Sequence, residues 1–182
     1  MFHRNQILIL FVGMLFFLAA CGQELSTPAS PSPATTPKVE TQVVEYVSET
    51  HDYSLRYPDY FSLESTTAEE TVFFIGSLLN VQNPRLSVKV TEFGDQSLEQ
   101  AVATFLADFD GYKILGTDLI VGNEPAIRLD GVPGQDMQRI VLIVRNGRLY
   151  QLTFSPEGAS STNIQGVLEN LYDTVIDSFE FR

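Results

Sequence analysis

Five consecutive apolar residues, Ile140-Val141-Leu142-Ile143-Val144, lead within two residues into Asn146-Gly147. Successive strand residues point to opposite faces, so a strand buried on one side alternates apolar with polar. A strand without that alternation needs cover on both sides. Asn-Gly is the strongest hairpin signal in the chain, because both central positions of a type I′ turn need positive φ. Tyr150, Leu152 and Phe154 return on one face, with Gln151 and Thr153 on the other. Any fold of this chain must therefore supply a central antiparallel strand with material above and below it.

Two helical stripes supply that material. Leu98, Ala101, Val102, Phe105, Leu106 and Phe109 recur at the spacing of one helix face. Ser97 with Gln100 three residues on predicts a capping box, and Asp110-Gly111 a stop. A second helix is predicted over about 162–178, from Ile164, Val167, Leu168, Leu171, Tyr172, Val175 and Phe179. Thr162 and Gln165 predict a second capping box. Gly166 inside this helix costs about 1 kcal/mol relative to Ala, which predicts close packing there.

The remaining runs read as strands: Val43–Val47, Tyr53–Tyr57, Tyr60–Glu64 after a Pro58-Asp59 turn, Thr71–Ile75, and Leu86–Val90 in clean alternation. Gly122-Asn123 predicts a hairpin between Asp118–Val121 and Ala126–Leu129. Gly131-Val132-Pro133-Gly134 reads as a loop. The sum is an α+β domain over 43–182, an antiparallel sheet sandwiched between helices.

The order of elements, Tyr53-Ser54-Leu55-Arg56-Tyr57-Pro58, the helix from Ser97-Leu98, and Val175-Ile176-Asp177-Ser178-Phe179 resemble the Mog1/PsbP-like family across roughly 45–181. Tyr60-Phe61 stand where that family often has a Trp. The resemblance implies a binding or assembly module and no enzymatic activity. Tyr57, Tyr60 and Phe61 around the Pro58 turn are the candidate partner or ligand surface, against the alternative that they are core.

Ahead of this domain, residues 7–18 are apolar and too few to span a ~30 Å hydrocarbon core as a helix. They end in Leu18-Ala19-Ala20-Cys21, which resembles the lipobox of bacterial lipoproteins at every position. The resemblance implies a signal peptide over 1–20, cleavage between Ala20 and Cys21, and acylation of Cys21, its only direct tie to a membrane. Two or three acyl chains give stable anchoring. Gly22, in place of Asp, permits outer-membrane sorting in a two-membrane cell. Residues 26–37 hold four Pro and no charge, so 21–42 read as a disordered tether reaching roughly 60 Å. A glycosylated stalk is the alternative for that stretch.

Charge and residue inventory narrow the function. Arg4 is the only charge in residues 1–20, which leaves 10 Lys and Arg against 23 Asp and Glu, a net charge of −13. That balance opposes nucleic-acid binding. Cys21 is the only cysteine, and His51 the only His after residue 20. Metal sites built on His and Cys are excluded by count, and a Ser-His-Asp arrangement would have to use a turn histidine. Asp108-Phe109-Asp110-Gly111 echoes a calcium loop, but the register puts Leu106 and Thr117 where acids are needed. No cofactor is called for. The expectation is a lipid-anchored envelope module with a protein partner, or alternatively a ligand-binding or sensory lipoprotein.

Overall fold

A computed structural model describes residues 42–182. Cys21, the apolar run before it and the Ser/Thr/Pro stretch after it lie outside the described residues. Asn146 and Gly147 take φ of 51° and 74°, and Gly122 and Asn123 take 57° and 67°. Both predicted hairpins are thus made by residues that tolerate left-handed backbone.

Among the described residues, ten strands and two helices follow in chain order. Strands β1 (Val43–Ser48) and β2 (Tyr53–Pro58) form a hairpin. Strands β3 (Ser62–Ser65), β4 (Glu70–Phe74) and β5 (Arg85–Glu92) come next, and then helix α1 (Leu98–Leu106). Strands β6 (Leu115–Val121), β7 (Glu124–Val132), β8 (Gln138–Arg145) and β9 (Arg148–Ser155) form the meander. Helix α2 (Thr162–Ser178) and strand β10 (Glu180–Phe181) close the chain. The large antiparallel sheet has seven strands in the order β3-β4-β5-β9-β8-β7-β6.

Strand β8 is internal and covered on both faces, as its unbroken apolar run requires. Ile140 and Leu142 join Leu129 and Val132 beneath Leu98, Val102, Phe105 and Leu106 of α1. Val141 and Ile143 face the opposite core, with Leu168, Leu171 and Val175 of α2 and Tyr53, Leu55 and Tyr57 of β2. Burying each such aliphatic side chain is worth about 1.5–3 kcal/mol. The sheet between two helices is therefore the observed architecture.

A second sheet, β1-β2-β10, shares the α2 side. Strand β10 pairs Glu180 with Ser54 and Phe181 with Tyr53. Two residues are too few to show a period, so nothing in the sequence marks this strand. Phe179 stacks on Tyr53 at 5.3 Å and 8°, and Phe181 meets Tyr150 edge-on at 5.0 Å. The C-terminal strand thus ties the small sheet to the large one.

Local expectations divide in the same way. The capping box at α1 is present: the Gln100 N–H donates to Ser97 Oγ, and the Ser97 N–H donates to Gln100 Oε1. The helix ends at Leu106 and tightens into a 3-10 turn over Ala107–Phe109, with Gly111 beyond it at φ 84°. The capping box expected at α2 is absent. Ser161 is the cap, with no side-chain bond, and Gln165 Nε2 donates to Glu169 Oε1 at 2.6 Å instead. Gly131 and Val132, read as loop, lie in β7, which shifts register between Leu129 and Val132.

Gly166 does not mark close packing. It is exposed, and a Cβ built there meets nothing within 4 Å. Gly166→Ala should therefore stabilise the domain by about 0.5–1 kcal/mol, by restricting the unfolded chain. A rise in the urea midpoint at unchanged slope checks this; a fall would mean that the glycine is required.

Candidate functional site

The antiparallel register builds a polar trough on the large sheet. One face of that sheet is split. Its β8 and β7 part is apolar and lies under α1, whereas its β4, β5 and β9 part is polar and lies beyond that helix. Cross-strand pairs align the polar residues in rows. Arg85 pairs with Ser155, and Ser87 with Val72 and Thr153. Lys89 pairs with Glu70 and Gln151. Gln138 of β8 completes the Arg85 end. The loop carrying Leu78 and Val81 forms one rim, and the loop carrying Gln135 and Asp136 the other, around a volume of 440 Å³.

Within the trough, Glu70 accepts from Thr66 Oγ1 at 3.1 Å and from the Ser87 hydroxyl. Gln151 Nε2 donates to Thr153 Oγ1 at 3.2 Å. Arg85 Nη2 is shielded from solvent and has no hydrogen-bond partner among the described residues. The sequence showed these polar positions only as the outward side of alternating strands. Pairing β5 with β9 turns two polar sides into one lined surface, and no local pattern predicts that pairing.

A second polar cluster sits on the other face of β8. Arg139 donates through Nε to Asp130 at 2.7 Å and through Nη1 to Glu169 at 2.7 Å, with Glu157 at 3.6 Å. Its guanidinium lies 4.6 Å from the Tyr172 ring centroid. Burial pulls the Arg139 pKa down, but the bonds and charges of Glu169 and Asp130 outweigh it and hold the pKa above the ordinary value. Burial raises the Glu157 carboxyl, helped by Asp130 and opposed by the Gly131 N–H and Arg139. These residues tie β7, β8, the segment after β9 and α2 together. Their arrangement is that of a structural staple, with its hydrogen-bonding capacity spent internally.

The residues singled out from the sequence do not converge. Tyr57 and Phe61 are 6% and 4% exposed and belong to the core, whereas Tyr60 is 43% exposed. The Tyr57 ring packs on Phe73 at 4.9 Å, and Tyr60 Oη accepts from Asn170 Nδ2 at 3.1 Å. Tyr57 and Phe61 therefore follow the alternative reading, as core, and of the three only Tyr60 is exposed. The other two face inward because β2 alternates toward α2 and because Phe61 follows the Pro58 turn back into that core. The His51 ring is bonded to the Ala68 carbonyl at 2.8 Å. Among the described residues no group of three or more His, Cys, Asp or Glu is placed to hold a metal ion. Cys21 and Ala20 lie outside the described residues.

No protein-family model matches the chain, and no curated protein matches it. Solved structures do. Cyanobacterial PsbP (CyanoP) of Synechocystis sp. PCC 6803 superposes with a TM-score of 0.53 at 14% identity, over 86% of this chain and 100% of that one. LpqN of Mycobacterium tuberculosis, a protein involved in cell envelope biogenesis, superposes with a TM-score of 0.50 at 15% identity, over 79% of this chain and 86% of that one. Identities this low speak to fold and leave function open. The chain has a PsbP-like α+β fold, with antiparallel sheets and two helices.

Proposed function

We propose that this chain is a lipid-anchored, extracytoplasmic, non-enzymatic binding or assembly module of the bacterial cell envelope. The observation that carries the proposal is Leu18-Ala19-Ala20-Cys21 at the end of a short apolar run, joined by a Pro-rich stretch to an acidic folded domain. Among the described residues no helix is long and apolar enough to cross a membrane, so the acyl group on Cys21 is the proposed attachment. The folds of CyanoP and of the envelope-biogenesis protein LpqN suit such a role.

In-cell crosslinking of the intact protein, followed by mass spectrometry, should recover the same envelope protein in replicate preparations. Recovery should fall with Cys21→Ser, which frees the domain from the surface where its partner sits. A clean monomer in every preparation would contradict the partner.

A small-ligand-binding lipoprotein is the second reading. The space between the large sheet and α2 is filled by buried side chains such as Phe154, Leu168 and Leu171. The polar trough on the opposite face is what favours that reading.

A further inference from the structure

Arg85 and Lys89, four positions along the strand, make no ion pair among the described residues, and neither do the exposed Arg56 and Lys113. What sets Arg85 apart is its shielded, unpartnered Nη2. A shielded guanidinium N–H without an acceptor is costly, and few such groups persist in folded proteins. Nη2 belongs to both two-donor faces of the guanidinium and is closed to solvent, so an anion in the trough meets Arg85 through one of its other donors.

The rest of the lining has a different chemistry. An ionised Glu70 can only accept hydrogen bonds, whereas Gln151 and Thr153 both donate and accept. Such a set suits hydroxyl groups, which also do both. Strands about 4.8 Å apart and residues about 3.3 Å apart set these groups over a patch of roughly 10 by 13 Å. The volume of 440 Å³ falls in the range of small-molecule sites. Leu78, Val81 and Val72 add an apolar edge and floor.

The acidic residues do not forbid an anion. Glu70 already receives the Thr66 and Ser87 hydroxyls and stands two rows from Arg85. Arg85 and Lys89 balance Glu70 and Asp136, so the lining is neutral in a chain of net charge −12.

We propose that the trough binds a small hydroxylated anion, its carboxylate or phosphate on Arg85 and its hydroxyls on Glu70, Gln151 and Thr153. The proposal rests on the folded domain alone, so it stands or falls separately from the lipid anchor and from any protein partner.

Calorimetric titration of the full-length protein in detergent with glucuronate, glucose 6-phosphate and glucose tests it. At least one of the two acids should bind, and the tighter of them identifies the anionic group as carboxylate or phosphate. Glucose should bind at least about tenfold more weakly, and Arg85→Gln should weaken the acid by about tenfold or more. Arg56→Gln removes the same charge from an exposed position outside the trough and should leave binding unchanged. Thr153→Val, smaller in effect but nearly isosteric, should weaken binding severalfold and serves if Arg85→Gln does not fold. The proposal is overturned if neither acid binds up to about 10 mM, if glucose binds as well as the acids, or if Arg56→Gln costs as much as Arg85→Gln.

Discussion

Arg139→Ala is expected to destabilise the domain by about 3–5 kcal/mol, the usual consequence of removing one partner from a buried ionic cluster. The Arg139 side chain is 12% exposed, and its partners Asp130 and Glu157 are 18% and 15% exposed. Without the guanidinium Asp130 keeps Arg128 at 2.9 Å and Glu157 keeps the Gly131 N–H, so Glu157 is the carboxylate left without a cation. Glu157 is already held above its ordinary pKa by burial and by Asp130, so losing the cation compounds an existing cost. Glu169 is 40% exposed and screened by solvent, so its bond to Arg139 contributes less. Truncation also removes the nearer of two cations from the Tyr172 ring, leaving Arg128 at 5.9 Å, and such a contact is worth about 0.5–2 kcal/mol. Arg139→Met keeps much of the stem but leaves Glu157 without a cation, so it should recover only the packing part. Urea denaturation reads the loss directly. A loss under about 1 kcal/mol would show the cluster behaving as an exposed ion pair.

Much of the fold was legible because its signals are local. The apolar run Ile140–Val144 placed β8 in the interior of the sheet, Asn146-Gly147 set the β8–β9 hairpin, and the Ser97–Gln100 pair set the start of α1. The parts that were not legible depend on contacts distant in sequence. Strand β10 is two residues long and gains its meaning from Tyr53, far earlier in the chain. Thr162 and Gln165 matched a capping motif, yet Glu169 one turn on captured the Gln165 amide. The Arg139 cluster draws on residues from 130 to 169, and no spacing rule links them. The aromatic residues at Pro58 were visible as a group, but their exposure was not, since that depends on which way β2 presents its faces to α2. The trough was half visible: the outward residues of β5 and β9 could be named, while the pairing that joins them is a property of the sheet order.

Cys21→Ser is expected to abolish acylation altogether and to release the domain from the membrane. The thiol is the proposed acceptor of the first acyl group, and a serine hydroxyl is a far weaker nucleophile than a cysteine thiolate. No second cysteine exists in the chain to substitute for it. The net charge of −13 over residues 21–182 disfavours docking on anionic lipid, so loss of the anchor should not be offset by surface attraction. The most direct measurement is incorporation of labelled palmitate into wild-type and Cys21→Ser protein in growing cells. Label on the wild type and none on Cys21→Ser is the predicted result; label persisting on Cys21→Ser, or absent from the wild type, would contradict the account.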